Sequence, residues 1–226
     1  MGIGARFVLL ACATYLVGSI PTGVVVGMLF YRRDPRNGGS GASGATNVAR
    51  QFGKAVGFFV SAADMGKGAA AVALGCLIFG APAASPAAFD AAGLAGILSA
   101  ICAVLGHIFP IFAGFRGGKG VAAGAGALLA LAPGPALVSG AAFGLCLGLT
   151  GIVSLSSLLA ALVFPASLGI GIALGIAKMS WLFVGSVFLF LTVAFAHRGN
   201  IKRLLAGEER PFDSARFLRR RPGGRG

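Results

Sequence analysis

Seven long apolar runs occupy most of this chain and determine what it can fold into. They cover residues 7–30, 55–80, 92–112, 121–132, 136–153, 157–177 and 179–197. Runs of about 17 to 25 apolar residues have the length of a membrane-crossing helix. The fourth run is too short for a full crossing, and APGP at 132–135 is its expected exit turn. Hydrophobic residues make up 57% of the chain and charged residues 11%, far from the values of soluble domains. The sequence therefore predicts an all-α, polytopic membrane helix bundle with about seven transmembrane helices.

The basic residues predict how this bundle is oriented. If the N-terminus lies outside, 16 of the 19 Lys and Arg residues fall in inner segments or in the C-terminal tail. This bias follows the positive-inside rule and places the C-terminus in the cytoplasm. The basic residues lie in short stretches between apolar runs and do not form a soluble basic face, which argues against nucleic acid as a partner. We predict one integral membrane domain over residues 1–226, with a basic cytoplasmic tail at 198–226.

A glycine-rich polar segment, GGSGASGATNVAR at 38–50, separates the first two runs. Irregular polar backbone is not tolerated on a lipid-facing surface, so this segment must lie in water or line a protein cavity. Glycines permit positive φ, and successive backbone N–H groups can then converge on an anion. Arg50 adds a planar guanidinium suited to phosphate. A flexible solvated loop is the alternative explanation.

A second segment of the same kind, GHIFPIFAGFRGGKGVAAG at 106–124, argues for an anion site. Glycines surround Lys119, with Arg116 beside them, and both segments fall on the same predicted membrane face. His107 lies about two turns inward, where a lone histidine is more often structural than catalytic. The sequence therefore predicts two walls of one anion site, which also includes Gly117, Gly118 and Gly120.

A third segment, HRGNIKRLLAGEERPF at 197–212, follows the last run. His197 and Asn200 are three residues apart and share a helix face, whereas the neighbouring cations could bind lipid headgroups. Within the second run, Asp64 and Lys67 have the same spacing and should pair with each other or with a polar loop. The four cysteines are isolated in apolar runs, so we predict no disulfide and no metal site.

Five motifs, in order along the chain, carry a resemblance to a known family. They are GSIPTG (18–23), GSGASGATNVARQFGK (39–54), DMGKG (64–68), GHIFPIFAGFRGGKGVA (106–122) and HRGNIKRLLAGEE (197–209). Together they resemble the PlsY family, the bacterial acyl-phosphate:glycerol-3-phosphate acyltransferases. The resemblance implies a seven-span enzyme of the bacterial inner membrane. It would move an acyl chain from acyl phosphate to the 1-hydroxyl of glycerol 3-phosphate, giving lysophosphatidic acid without coenzyme A, acyl carrier protein or any cofactor.

The resemblance also implies roles for residues at matching positions. Ser40, Arg50 and Lys119 match phosphate-binding residues, His197 and Asn200 match the pair that orients the acceptor, and Glu209 matches the acid of the last motif. We take the catalytic set as Ser40, Arg50, Lys119, His197 and Asn200. The predicted substrate-binding residues are Gly39, Gly41, Asn47, Lys67, His107, Arg116, Gly117, Gly118, Gly120 and Glu209.

The chain departs from the family pattern at four positions. Ala42 replaces a usual Asn, Arg116 a common Lys and Ala123 a common Thr, and Gly199 lies between the His-Arg pair and Asn200. The change at Ala42 removes any role for that side chain.

Two other classes of protein remain open from the residues alone. A transporter of phosphate or a phosphorylated metabolite would also need cations and glycine-broken helices, but with internal repeats and polar groups near the midplane. A purely structural membrane protein would not explain the paired glycine-rich loops. The proton acceptor in an acyl transfer is either His197 or a substrate phosphate, and we favour the phosphate.

Overall fold

The computed structural model describes residues 2–80 and 90–212, and the regular structure in this part of the chain is entirely helical. Each predicted apolar run overlaps a helix, although the first run, 7–30, is broken into two helices at residues 19–21, and the all-α membrane bundle is confirmed. The ten α-helices are α1 (Ile3–Gly18), α2 (Thr22–Tyr31), α3 (Ala45–Phe52), α4 (Lys54–Phe79), α5 (Ala91–Ile108), α6 (Val121–Leu131), α7 (Pro133–Thr150), α8 (Val153–Ala173), α9 (Trp181–Ala196) and α10 (Arg198–Leu205).

Fewer helices than predicted are long enough to cross a membrane. Within the described residues, five spans pass on length and composition, with α1 and α2 counted together, and α9 with α10 gives a sixth that is bent by 66°. The fourth predicted run forms α6, which has only 11 residues and is about 16 Å long, half of a bilayer core. A single residue, Ala132, separates it from α7, and Pro133 starts α7 because proline fits the first helical position.

Helix α5 is the centre of the bundle, packed by α1, α4, α6 and α9. Glycines allow the closest approaches between helices. A side chain at Gly68 of α4 would overlap the carbonyl of Ala123 on α6, and one at Gly126 of α6 would overlap the carbonyl of Met65. Small residues at such contacts are typical of membrane helix packing, because the backbones themselves come together. This packing holds the short α6 firmly against α4.

The loops at one end of the bundle are joined by hydrogen bonds. The Ser43 amide donates to the Gly117 carbonyl at 3.2 Å, and the Phe212 amide donates to the Gly151 carbonyl at 2.7 Å. Arg36 forms a clamp, since its guanidinium pairs with Asp34 and also donates to the Ala113 carbonyl at 2.6 Å. We call this end of the bundle, formed by residues 32–53, 109–120, 151–154 and 197–212, the polar end. The tail arginines from Arg216 onward lie outside the described residues.

Candidate active site

One cavity of about 570 Å³ opens at the polar end and extends between the helices. Polar side chains from all three glycine-rich or basic segments line its outer part, so the segments that were predicted to form one site do meet. Its inner part is lined by apolar residues of α6, α7, α8 and α9. Nine of the predicted site residues line it, namely Ser40, Asn47, Arg50, His107, Lys119, Gly120, His197, Asn200 and Glu209.

Asn47 shapes the first glycine-rich loop from within. Its side-chain oxygen accepts from the Ser40 amide at 2.9 Å, and its amide group donates to the carbonyls of Pro35, Gly38 and Ala42. Gly39 and Gly41 have φ of 62° and 71°, which lets the loop turn around this side chain. These two glycines do not contribute to the cavity lining. Asn47 therefore holds Ser40 at the cavity wall.

The second loop packs against the end of α5. The amides of Gly117 and Gly118 donate to the carbonyls of Ile108 and His107, each at 3.1 Å. These amides are therefore not available to a phosphate, unlike the expectation from the glycine pattern. A side chain at Gly118 would overlap the His107 imidazole. Both glycines, like the exposed Arg116, lie outside the cavity lining, and close packing places the next residue, Lys119, in the cavity.

The N-terminal turns of three helices contribute residues to the cavity lining. Residues of the first turns of α3, α6 and α8 all line it, among them Ala45, Val121 and Val153. The first amides of a helix lack intrahelical acceptors, and the helix dipole adds positive potential there. Three such ends around one cavity, together with Arg50 and Lys119, make an anion-binding environment.

A hydrogen-bonded network links the second loop to the C-terminal segment. The Lys119 ammonium donates to the Asn200 side-chain oxygen at 2.5 Å, and the Asn200 amide donates to Glu209 Oε1 at 2.5 Å. The same Oε1 accepts from the Ser154 hydroxyl at 2.7 Å, and Arg203 Nε lies 2.6 Å from Glu209 Oε2. Glu209 thus holds Asn200, and through it the Lys119 ammonium, at fixed positions.

The environment shifts the pKa values of both charged ends of this network. Burial lowers the pKa of Lys119 to about 8, although the nearby Glu209 opposes the shift. Burial alone would raise the pKa of Glu209, but hydrogen bonds from Ser154, Asn200 and Arg203 outweigh it and keep that pKa below its ordinary value. Glu209 is therefore favoured as a carboxylate, which suits the hydrogen bonds that it accepts from Ser154 and Asn200.

His197 is buried at the end of α9, and its orientation follows from one hydrogen bond. Its Nδ1 lies 2.8 Å from the Val193 carbonyl oxygen, which only accepts hydrogen bonds. Nδ1 therefore carries the proton, and Nε2 of the neutral ring is an acceptor. An acceptor nitrogen at the cavity suits a substrate hydroxyl.

Asp64, Lys67 and His107 form a buried cluster beside the break between α1 and α2. Lys67 Nζ lies 2.9 Å from Asp64 Oδ1, which confirms the predicted pair, and also donates to the Ile20 carbonyl at 2.9 Å. Thr22 donates to the same carboxylate at 2.9 Å, and His107 Nδ1 lies 3.6 Å from it. Lys67 is not part of the cavity lining among the described residues, so its charge is used in packing the helices.

Among the residues that sequence reasoning did not assign to the site are Ser154 and Arg203, which bind Glu209, and the Asp34–Arg36 pair that holds the loops together. Ser154 is one of several small residues in an apolar stretch, so nothing in the sequence distinguishes it. Arg203 is one of the cations that were expected to be able to bind lipid headgroups, but it lines the cavity. The contact between Asp34 and Arg36 could be predicted from neighbouring residues, because an aspartate before a proline is a common helix cap. The contact of Ser154 could not, since its partner Glu209 is 55 residues away.

Two of the four departures from the family pattern, Ala42 and Ala123, use their backbone carbonyls in this geometry. The Ala42 carbonyl accepts from Asn47 at 2.8 Å, a contact that needs no side chain at residue 42. Ala123 is fully buried, with its carbonyl against Gly68.

Comparison with known proteins gives a consistent result. The sequence model of the family described as glycerol-3-phosphate acyltransferase matches residues 8–207. A glycerol-3-phosphate acyltransferase of Enterococcus faecalis is 40% identical over 90% of this chain and 91% of its own. One of Thermosynechococcus vestitus is 42% identical over 89% and 92% of the two chains.

Solved structures agree with these relatives. The crystal structure of PlsY, an integral membrane glycerol 3-phosphate acyltransferase, in its glycerol 3-phosphate form has a TM-score of 0.80 and 31% identity to this chain. The match covers 95% of this chain and 99% of that one. These similarities favour an acyltransferase over the transporter alternative. This chain is an integral membrane protein of the glycerol-3-phosphate acyltransferase family, the PlsY family.

Proposed function

We propose that the acyl donor is an acyl phosphate and that the product is 1-acyl-glycerol 3-phosphate, a lysophosphatidic acid. The observation that carries this proposal is a single cavity whose cationic outer part continues into an apolar inner part. A small phosphate headgroup fits the outer part, and its acyl chain fits between the helices. Neither coenzyme A nor acyl carrier protein is needed for such a donor.

The positive charge around the cavity favours the binding of phosphates. Acyl phosphate and glycerol 3-phosphate together bring about −3 to −4 near neutral pH, on the basis of about −1.5 to −2 for each phosphate. Arg50, Lys119 and Arg203 supply three cations, of which Arg203 is paired with the Glu209 carboxylate, and the N-termini of α3, α6 and α8 add partial positive charge. We assign Ser40, Arg50 and Lys119 to the phosphates. His197 and Asn200 then orient the glycerol part of the acceptor.

The proposed reaction needs alignment more than activation of the nucleophile. The 1-hydroxyl oxygen of the acceptor attacks the acyl carbonyl carbon, and the bond between that carbon and the phosphate oxygen breaks. The hydroxyl proton leaves with the phosphate, which is basic enough to accept it. His197 Nε2 is the alternative base, but the proposed route leaves His197 as an acceptor that orients the hydroxyl. Lys119 and the helix N-termini stabilise the charge that develops on the oxyanion and the leaving phosphate.

We further propose that the polar end faces the cytoplasm, with the N-terminus outside, and that residues 1–226 act as one catalytic domain. The described basic residues support this orientation, because Arg32, Arg33, Arg50 and Arg116 lie at the polar end while Arg6 and Lys178 lie at the other. Glycerol 3-phosphate and the activated acyl chain would then reach the cavity from the same side.

A donor comparison tests this proposal. Purified protein in lipid nanodiscs receives glycerol 3-phosphate with palmitoyl phosphate, palmitoyl-coenzyme A or palmitoyl-acyl carrier protein, and lysophosphatidic acid is measured. We expect product from palmitoyl phosphate alone. Product from either thioester, with palmitoyl phosphate inert, would refute the acyl phosphate assignment and leave the family membership unchanged.

A further inference from the structure

The apolar part of the cavity has a floor, and that floor is Phe164. This side chain lines the cavity, is only 2% exposed and belongs to the same packed core cluster as Leu131, Leu182 and Leu189. Most of the surface of its ring is therefore packed against protein. A straight chain entering from the polar end therefore stops at this ring.

Helix geometry gives the depth of the cavity. Ser154, which binds Glu209 at the polar end, precedes Phe164 by ten residues on α8, about 15 Å along the axis. On α9, His197 and Ser186 both line the cavity and are eleven residues apart, about 16 Å. Two independent helices thus give the same depth. Each carbon of an extended chain advances about 1.25 Å, given C–C bonds of about 1.5 Å, so about 12 carbons fit.

Small residues on α8 keep the path open between these two levels. Ser157, Ala160 and Ala161 line the cavity between Ser154 and Phe164. A large side chain at any of them would project into the space that a methylene chain needs. The change from small residues to a phenyl ring along one helix therefore marks where the space ends.

The cavity also has an opening on its side. Leu129 of α6 and Leu137 of α7 line it and are 40% and 67% exposed, so they face both the cavity and the surrounding lipid. Both lie close to the turn between α6 and α7, near the level of the floor. A chain longer than the cavity can leave past them into the bilayer.

We propose that Phe164 ends the acyl-binding site after about 12 carbons and directs the rest of a longer chain sideways, past Leu129 and Leu137, into the lipid. This inference rests on the proposed acyl phosphate donor. Because bilayer lipid is as apolar as the cavity, selection among donors depends on steric fit and not on hydrophobic transfer. Chains of 12 carbons and longer should therefore react at similar rates.

A substitution that narrows the cavity tests the proposed length of the acyl-binding site. Ala161 follows Ser154 by seven residues, about 10 Å, the span of about eight carbons. In Ala161→Phe we expect the rate with 12- and 16-carbon acyl phosphates to fall at least about tenfold relative to the 8-carbon donor, because overpacking is costly. Leu162→Phe, on the lipid-facing side of the same helix, is the matched control. An unchanged chain-length profile in Ala161→Phe, with the protein folded, would overturn the proposal.

Photocrosslinking tests the floor and the side opening. A non-hydrolysable 16-carbon acyl phosphonate with a terminal diazirine should label Leu129 or Leu137 in the unmodified protein. In Phe164→Ala the floor is removed, and the label should move to the core beneath, at Leu182. Labelling that is identical in the two proteins would refute the role of Phe164.

The two proposals fail in different ways. If the protein uses acyl thioesters and not acyl phosphates, the donor assignment fails, and the same length series is measured with thioesters. A fall in rate for thioesters longer than about eight carbons in Ala161→Phe would then still support Phe164 as the floor. A chain-length profile without that fall would refute the role of Phe164.

Discussion

Lys119 is the residue on which the proposed chemistry depends most. It is partly buried, hydrogen-bonded to Asn200 and placed in the cavity by two glycines that pack on α5. The sequence could identify it, because a lysine within GGKG after an apolar run has few structural uses. Asn200 and Glu209 were also predicted as site residues, whereas Ser154 was not, since it meets Glu209 only through the fold.

Lys119→Ala should lower the rate of acyl transfer by on the order of 10²-fold or more, the scale of removing one preorganised electrostatic group. Arg50→Ala should behave alike. Lys202→Ala is the control, because this lysine is exposed on α10 and does not line the cavity. Thermal stability in detergent checks that each variant is folded. Near-normal turnover in Lys119→Ala would remove this residue from the proposed site.

The pH dependence should report the same ammonium. Burial lowers the pKa of Lys119 to about 8. The free protein therefore loses the positive charge of the ammonium as the pH rises through that value. We expect kcat/KM for glycerol 3-phosphate to fall above about pH 8, and Lys119→Arg to move the fall to higher pH because a guanidinium stays charged. A flat profile up to pH 9.5 in the unmodified protein would contradict this assignment.

At the scale of elements, the contact between α5 and the second loop shows the limits of sequence reasoning. The glycines at 117 and 118 suggested anion-binding amides, but their amides bond to α5. The composition of the second loop indicates that its glycines have a role. Only the packing on α5 shows that the role is a close contact between the loop and the helix. The same holds for α6, whose short apolar run was visible but whose close packing on α4 through Gly68 and Gly126 was not.

Gly118→Ala should displace the second loop, because the new side chain would overlap the His107 imidazole. His107 is buried near Asp64 and has little room to yield. Overpacking of this kind costs about 1–3 kcal/mol. Because the displaced loop carries Lys119, we expect KM for glycerol 3-phosphate to rise about tenfold. Gly66→Ala on α4, where a side chain meets open space, is the control.

A second substitution separates this clash from general instability. In His107→Ala/Gly118→Ala the ring is gone, so KM should return part of the way toward its original value. Purely additive losses in the double variant would refute the proposed contact between the loop and His107.

At the scale of the whole molecule, the hydrophobic pattern predicted the fold class because membrane helices are specified by long apolar runs. The number of full spans was less predictable, since a half-length helix is stable only in the company of its neighbours. The meeting of all polar segments at one end follows from alternating helix directions. That arrangement brings the cations of separate segments into one cavity.

Cysteine labelling tests which side of the membrane this end faces. In a variant without the native cysteines, we expect Arg33→Cys and Arg116→Cys to react only with reagent on the cytoplasmic side. Lys178→Cys, in the turn between α8 and α9, should react only from the outside. Opposite labelling of positions 33 and 116 would contradict both the orientation and the single polar end.

The central claim is that one cavity moves an acyl group from phosphate to glycerol 3-phosphate, and isotope tracing tests it most directly. Palmitoyl phosphate labelled with ¹⁸O at the bridging oxygen is given to the purified protein in nanodiscs. The account predicts one inorganic phosphate for each lysophosphatidic acid, with the label in the phosphate and no release when glycerol 3-phosphate is omitted. Label retained on the acyl group, or phosphate released without acceptor, would contradict it.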